Sequence, residues 1–226
     1  MDASELACPA EALPQWWGCV GLFEWQPLLG SLILLLAAFI TLRADDRREM
    51  RRRERKFAAV RALLPVTLAK ITDYGFSALR WLESAVSGER FDWQAKRAAA
   101  PRLPEEILTL AAEFIEYADA HDTGLMQDVL SRMQLLNSRV EGLAIHDGHE
   151  PSAIRVDALA LDAALISAGA ARLFRFARRA EAEMPRQISW DDVKGALALA
   201  AIDEEDAPEL YARIETRAAR SADPFR

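Results

Sequence analysis

Lysine and arginine are missing from the first 41 residues of this chain, which hold four acids, Asp2, Glu5, Glu11 and Glu24. A cleavable secretion signal opens with positive charge and closes on a small-residue cleavage site, so this pattern argues against one. Cysteine is nearly absent as well. Cys8 and Cys19 are the only two, too few for a disulfide framework or for a zinc site built on thiolates alone. Histidine is limited to His121, His146 and His149. Glycine and proline number ten each in 226 residues, and β-branched residues are sparse, a balance that favours helix over strand. No stretch alternates with period two, and no internal repeat is present. The phosphate-cradling GxxxxGK[ST] loop, the GxGxxG turn, the GxSxG nucleophile elbow and the kinase set are all lacking. No enzyme is expected from this sequence, and no cofactor is called for.

What is present begins with an apolar run, "PLLGSLILLLAAFITL", residues 27–42, which carries no charge. Sixteen helical residues span about 24 Å, short of a hydrocarbon core of about 30 Å. Extending the run back towards Leu22 makes it long enough, with Glu24 and Gln26 near one interface and Trp16, Trp17, Phe23 and Trp25 as interfacial residues. The expectation is a transmembrane helix over 26–43, starting as early as residue 22.

All the cations near this run follow it. Residues 43–56 hold eight basic and four acidic groups: Arg43, Arg47, Arg48, Arg51, Arg52, Arg53, Arg55 and Lys56 among Asp45, Asp46, Glu49 and Glu54. Basic residues flanking a membrane segment stay in the cytoplasm. The layout expected is therefore an uncleaved inner-membrane anchor. Residues 1–25 lie outside the cytoplasm, 44–56 form a basic juxtamembrane helix or linker at the lipid surface, and the rest is cytoplasmic. The eight cations are the candidate contacts to lipid, at about 1 kcal/mol each near an anionic surface, tempered by the acids that pair with them along the helix. The remainder, 57–226, holds 20 basic and 27 acidic groups, which argues against a nucleic-acid partner.

The cysteines fall on the outer side of this layout. A disulfide between Cys8 and Cys19 is a candidate, since Pro9, Pro14 and Gly18 permit a turn and an oxidising compartment permits the bond. The histidines fall on the other side. "HDGHE", residues 146–150, holds ligand-type residues, but Gly148 and Pro151 make it a loop rather than the helix face that HExxH requires. His121, His146 and His149 are weak metal candidates only. Glu106, Glu113, Glu116 and Asp119 lie on or near one helix, yet no Glu-x-x-His accompanies them, as di-iron bundles need.

The segment 57–220 reads as an all-α, antiparallel helix bundle. Phe57, Val60, Leu64, Leu68, Ile71, Ala78, Leu82 and Val86 mark a first stripe, with Pro65 expected to kink or restart the helix and Ser87-Gly88 to end it. A helix opens at Pro104 with Ile107, Leu110, Phe114 and Ala118 inward. Another runs from Leu125 to Ile145, and a longer one from Ser152 to about Glu183. "SWDD", residues 189–192, has the form of a capping box. Pro208 begins the last helix, and "SADPFR", 221–226, is expected to fray. Trp81, Trp93 and Trp190 are expected to pack. The functional expectation is a membrane-anchored, non-catalytic interaction or scaffold protein, an adaptor or assembly factor with a protein partner, its oligomeric state open. The alternative is a single-pass sensor that reads redox state through Cys8 and Cys19.

Overall fold

The computed structural model describes residues 22–87, 99–118, 123–145, 153–181 and 183–226, with side chains of the first helix from Leu29 onwards. Every regular element among them is helical: α1 Leu22–Val86, α2 Glu105–Tyr117, α3 Gly124–Ile145, α4 Ala153–Ala177, α5 Trp190–Leu199 and α6 Pro208–Ala218. The chain divides into two compact units, residues 1–52 and 53–226.

In the first unit the described part is α1 alone. Among the described residues no helix is long and apolar enough to cross a membrane. The expected span over 26–43 therefore gains no support from the fold. The described apolar stretch, 29–42, is fourteen residues, about 21 Å of helix, before Arg43 and Asp45 begin the charged run.

The second unit is a helical bundle, and its contacts give the directions of its helices. Along α1 from residue 56 to 70 the partners on α2 descend: Lys56 Nζ donates to Tyr117 Oη at 2.8 Å, the Phe57 and Phe114 rings lie 5.8 Å apart, and Lys70 Nζ donates to Glu106 at 2.5 Å. The two are antiparallel. So are α1 and α4, where Arg61 reaches the Phe176 and Glu181 carbonyls while Gly75 lies against Ala163 and Ser167. A side chain at Gly75 would run into the Ser167 hydroxyl and the Ala163 carbonyl, so that crossing depends on glycine. Helix α3 runs antiparallel to α4, with Val129 beside Gly169 and Arg132 and Arg139 on Asp162. Helix α5 pairs antiparallel with the α6 region through Trp190 Nε1 to the Ser221 carbonyl (2.8 Å) and Lys194 to Glu215.

Helix α4 shows no one-sided stripe. Every residue from Leu159 to Ala170 is buried, so α4 is the central helix with neighbours on all sides. Its sequence permits this, since a helix that is apolar all round belongs in a core, and "LALDAALISAGA" interrupts small and apolar residues only with Asp162 and Ser167. The Ser167 hydroxyl is satisfied by the Ala163 carbonyl at 3.0 Å.

Four expectations are revised. Helix α1 does not restart at Pro65 but continues through it: Leu64, Leu68, Ile71, Ala78 and Leu82 are all buried, and their packing holds a turn that proline weakens by removing one N–H. Helix α4 stops at Ala177, six residues before Glu183. Arg179 takes a left-handed φ of 60°, its N–H donates to the Phe176 carbonyl, and the Ala180 N–H donates to that of Arg175. That is a Schellman closure, reached before Met184-Pro185. In α2, Ala111 rather than Leu110 is the fully buried residue. The segment 221–226 is packed on the bundle rather than frayed, with Pro224 buried and Phe225 against the core.

Candidate functional site

Two features stand out in residue chemistry: a sheath of exposed apolar side chains on α1, and charged side chains enclosed around α4.

The sheath comprises Leu29, Leu32, Ile33, Leu34, Leu35, Leu36, Phe39, Ile40 and Leu42, all between 51% and 73% exposed. Five consecutive positions, 32–36, already turn more than once around a helix of 3.6 residues per turn, so the exposure covers every face. Thr41 returns its hydroxyl to the Ala37 carbonyl at 2.8 Å, which leaves the run with no outward hydroxyl donor there. The charged stretch follows. Arg43 stacks over Phe39, its guanidinium 4.5 Å from the ring centroid, and Arg48 pairs with Asp45 at 3.4 Å. Arg47, Arg48, Arg51, Arg52, Arg53 and Arg55 are exposed. Lys56 is held to α2 by the Tyr117 hydroxyl and lies 4.7 Å from that ring, so its charge is engaged within the bundle.

The enclosed charges centre on Asp162, 3% exposed. One carboxylate oxygen accepts from Arg132 Nη1 at 2.9 Å and the other from Arg139 Nη1. Two guanidiniums on one turn-spaced face of α3 thus clamp one carboxylate of α4. Arg132 also donates through Nη2 to the Phe225 carbonyl at 3.0 Å. Further along α4, Asp157 is buried with Arg213 of α6 at 3.1 Å, out of line for a hydrogen bond. Burial pushes the Asp157 carboxyl above the usual range; Arg213 opposes this and Glu209 adds to it. At the end of α4, Arg61 lies 3.9 Å over the Phe176 ring and donates to the Phe176 carbonyl at 2.9 Å. Burial, with Arg179 nearby, lowers its pKa. The Tyr74 hydroxyl is buried without a hydrogen-bond partner, and burial, followed by the charge of Glu141, raises its pKa. These groups hold helices together; none presents a nucleophile beside a base.

The enclosed charges were not nominated from sequence. The available signal was two aspartates five apart, Asp157 and Asp162, within an otherwise apolar helix, since acids in such a place are buried only when paired. Cys8, Cys19, His121, His146, His149, Asp119 and Trp93 lie outside the described residues. Of the other carboxylates, Glu106 is engaged by Lys70, and Glu113 and Glu116 are exposed. Among the described residues no group of three or more His, Cys, Asp or Glu is placed to hold a metal ion. Trp81 is buried and Trp190 half-buried, both in packing positions.

No protein family, curated protein or solved structure matches this chain.

Proposed function

We propose that the chain is a membrane-anchored helical interaction or scaffold protein, held at the inner membrane by the N-terminal part of α1, with the bundle of residues 53–226 in the cytoplasm as the partner-binding part. The observation that carries this is the sheath of nine large apolar side chains exposed on every face of α1 between Leu29 and Leu42. Soluble chains rarely leave so large a contiguous apolar surface in water, and an interface with one partner helix would need only one stripe of it. Two sequence facts support a bilayer as the cover. No charged residue lies between Gln26 and Leu42, and α1 already begins at Leu22, so the helical apolar length exceeds the fourteen residues of the described stretch. The cations cluster at one end only, which favours that end in the cytoplasm; Arg43, Arg47, Arg48, Arg51, Arg52, Arg53 and Arg55 are then the lipid-surface contacts.

Membrane fractionation with alkaline extraction tests the anchor. The full chain is expected in the extracted membrane pellet, and Leu34→Arg with Leu35→Arg is expected to move it to the supernatant. Each arginine costs about 2.5–3.5 kcal/mol at the centre of a span. A wild-type chain that leaves the pellet at high pH would sink the anchor. A reporter fused after Arg226 that is active only outside the cytoplasm would overturn the orientation.

A second reading, a single-pass sensor using Cys8 and Cys19, draws on one observation. Helix α1 is assigned as one helix from Leu22 to Val86, so the N-terminal segment and the bundle are joined by helical chain, as a sensor would need. Thiol labelling of intact cells separates the two: cysteines that never change labelling state remove the sensor.

A further inference from the structure

We propose that the end of the bundle at which the chain enters it is a docking surface for anionic lipid, made chiefly by Arg178, Arg179 and Arg186. It rests on the membrane reading above for the choice of lipid as the partner.

Charge is unevenly placed along the bundle. The turn after α4 packs on the start of α1 within the bundle, where Arg61 donates to the Phe176 and Glu181 carbonyls at 2.9 and 3.3 Å. Residues 172–186 hold five arginines and two glutamates, so this end is positive in a bundle with more acids than bases. Glu181 is taken by Arg175 at 2.8 Å and Arg172 at 3.8 Å. Arg178, Arg179 and Arg186 are exposed, and none of them pairs with an acid among the described residues. The opposite end is acidic. Arg213 of α6 lies on Asp157, near the start of α4, and the turn leading into α6 carries Asp203, Glu204, Glu205 and Asp206, all exposed. A negatively charged surface therefore attracts one end of the bundle and repels the other.

Helix architecture accounts for only part of this clustering. Cations suit the C-terminus of a helix, which explains Arg175 and Arg178. Arg186 lies well beyond Ala177, where α4 ends. Arg179 stands at a φ of 60°, where a Cβ is strained and glycine is not. Its charge also adds to burial in lowering the pKa of Arg61. A like charge held beside Arg61 is a cost to the free bundle that an anionic surface removes.

Lipid suits this end better than a free polyanion. The bundle unit begins at Arg53, and Leu42, the last residue of the apolar run, is eleven positions before it (42 to 53). At full extension that is about 40 Å. A surface brought within reach by the chain's own tether is met at high effective concentration, so a few weak contacts are enough to hold the bundle on it.

The test uses the full chain and flotation with vesicles of phosphatidylcholine alone, or of phosphatidylcholine and phosphatidylglycerol in equal parts. Flotation of the unaltered, reconstituted chain with phosphatidylcholine vesicles reports on the anchor, and failure there removes the anchor alone. The docking surface is read separately, in the Leu34→Arg, Leu35→Arg chain, as the affinity for anionic over zwitterionic vesicles. Adding Arg178→Glu with Arg179→Glu should lower that preference at least ten-fold. Adding Arg80→Glu with Arg155→Glu, two exposed arginines towards the other end, changes the net charge equally and should leave the preference within about two-fold. Equal losses from the two pairs, or no loss from the first, overturn the proposal. Should the first pair lose its helical circular dichroism, Arg179→Gly decides instead, since it removes the charge and the backbone strain together. It should lower the preference about five-fold, with a melting temperature no lower than that of its parent chain. An unchanged preference overturns the proposal.

Discussion

Asp162 illustrates how a single buried charge organises this bundle. Its carboxylate is enclosed, and both of its oxygens are taken by guanidiniums of α3. Asp162→Asn should lower stability by about 2 kcal/mol, below the 3–5 kcal/mol of a fully buried broken pair, because Arg139 is 43% exposed and can turn to water. Urea denaturation checks this through a lower midpoint at an unchanged slope. Ala201 makes the opposite point. It ends α5 at a φ of 59°, with the Ile202 N–H returning to the Leu197 carbonyl and its own to Ala198. A Cβ is strained in that region and glycine is not, so Ala201→Gly should raise stability by about 0.5–1 kcal/mol, seen as a higher melting temperature. Ala and Arg hold both left-handed closures here, at 201 and 179. Glycine, the usual marker, stands at neither, which is why the end of α4 was not legible.

At the scale of elements, helix starts were easier to read than helix ends. The capping box at Ser189 is present as its spacing implied: Ser189 Oγ accepts from the Asp192 N–H at 3.2 Å, and Asp192 Oδ2 accepts from the Ser189 N–H at 2.8 Å. Ser189→Ala should cost about 1 kcal/mol and fray α5, which circular dichroism melting would register; no change in midpoint would mean that packing of Val193 and Leu197 alone sets the start. Pro104 and Pro208 likewise mark the first turns of α2 and α6. Pro65 did not restart the helix, because the one N–H it removes counts for little beside the burial of five large or closely packed residues on the same face of α1. The periodicity of α1 and α3 was legible because each has one apolar face. That of α4 was not, because a central helix has no polar face to contrast with it.

For the whole molecule, Asp157 ties α4 to α6 through Arg213, and its raised pKa sets a direction for pH dependence. The folded chain holds that proton to higher pH than the unfolded chain does. The stability from this group is therefore full below about pH 3.9 and is lost as pH rises through its folded value. Asp157→Asn, which cannot ionise, should gain stability relative to the unaltered chain as pH rises from about 3.5 to 6.5. Denaturation midpoints measured at both ends of that range give the sign, and a relative loss would contradict it. By itself the sequence determined that the chain is helical, where most of its helices begin, and that its charge and apolar length are concentrated at one end. Those properties follow from local propensity, periodicity and the order of residues along the chain. Only the tertiary structure decided that α4 is central, that Asp157 and Asp162 are enclosed by arginines 23 to 56 residues away, and that residues 221–226 pack on the bundle. Each of these depends on contacts between residues distant in sequence, which leave no periodic trace in the residues that make them.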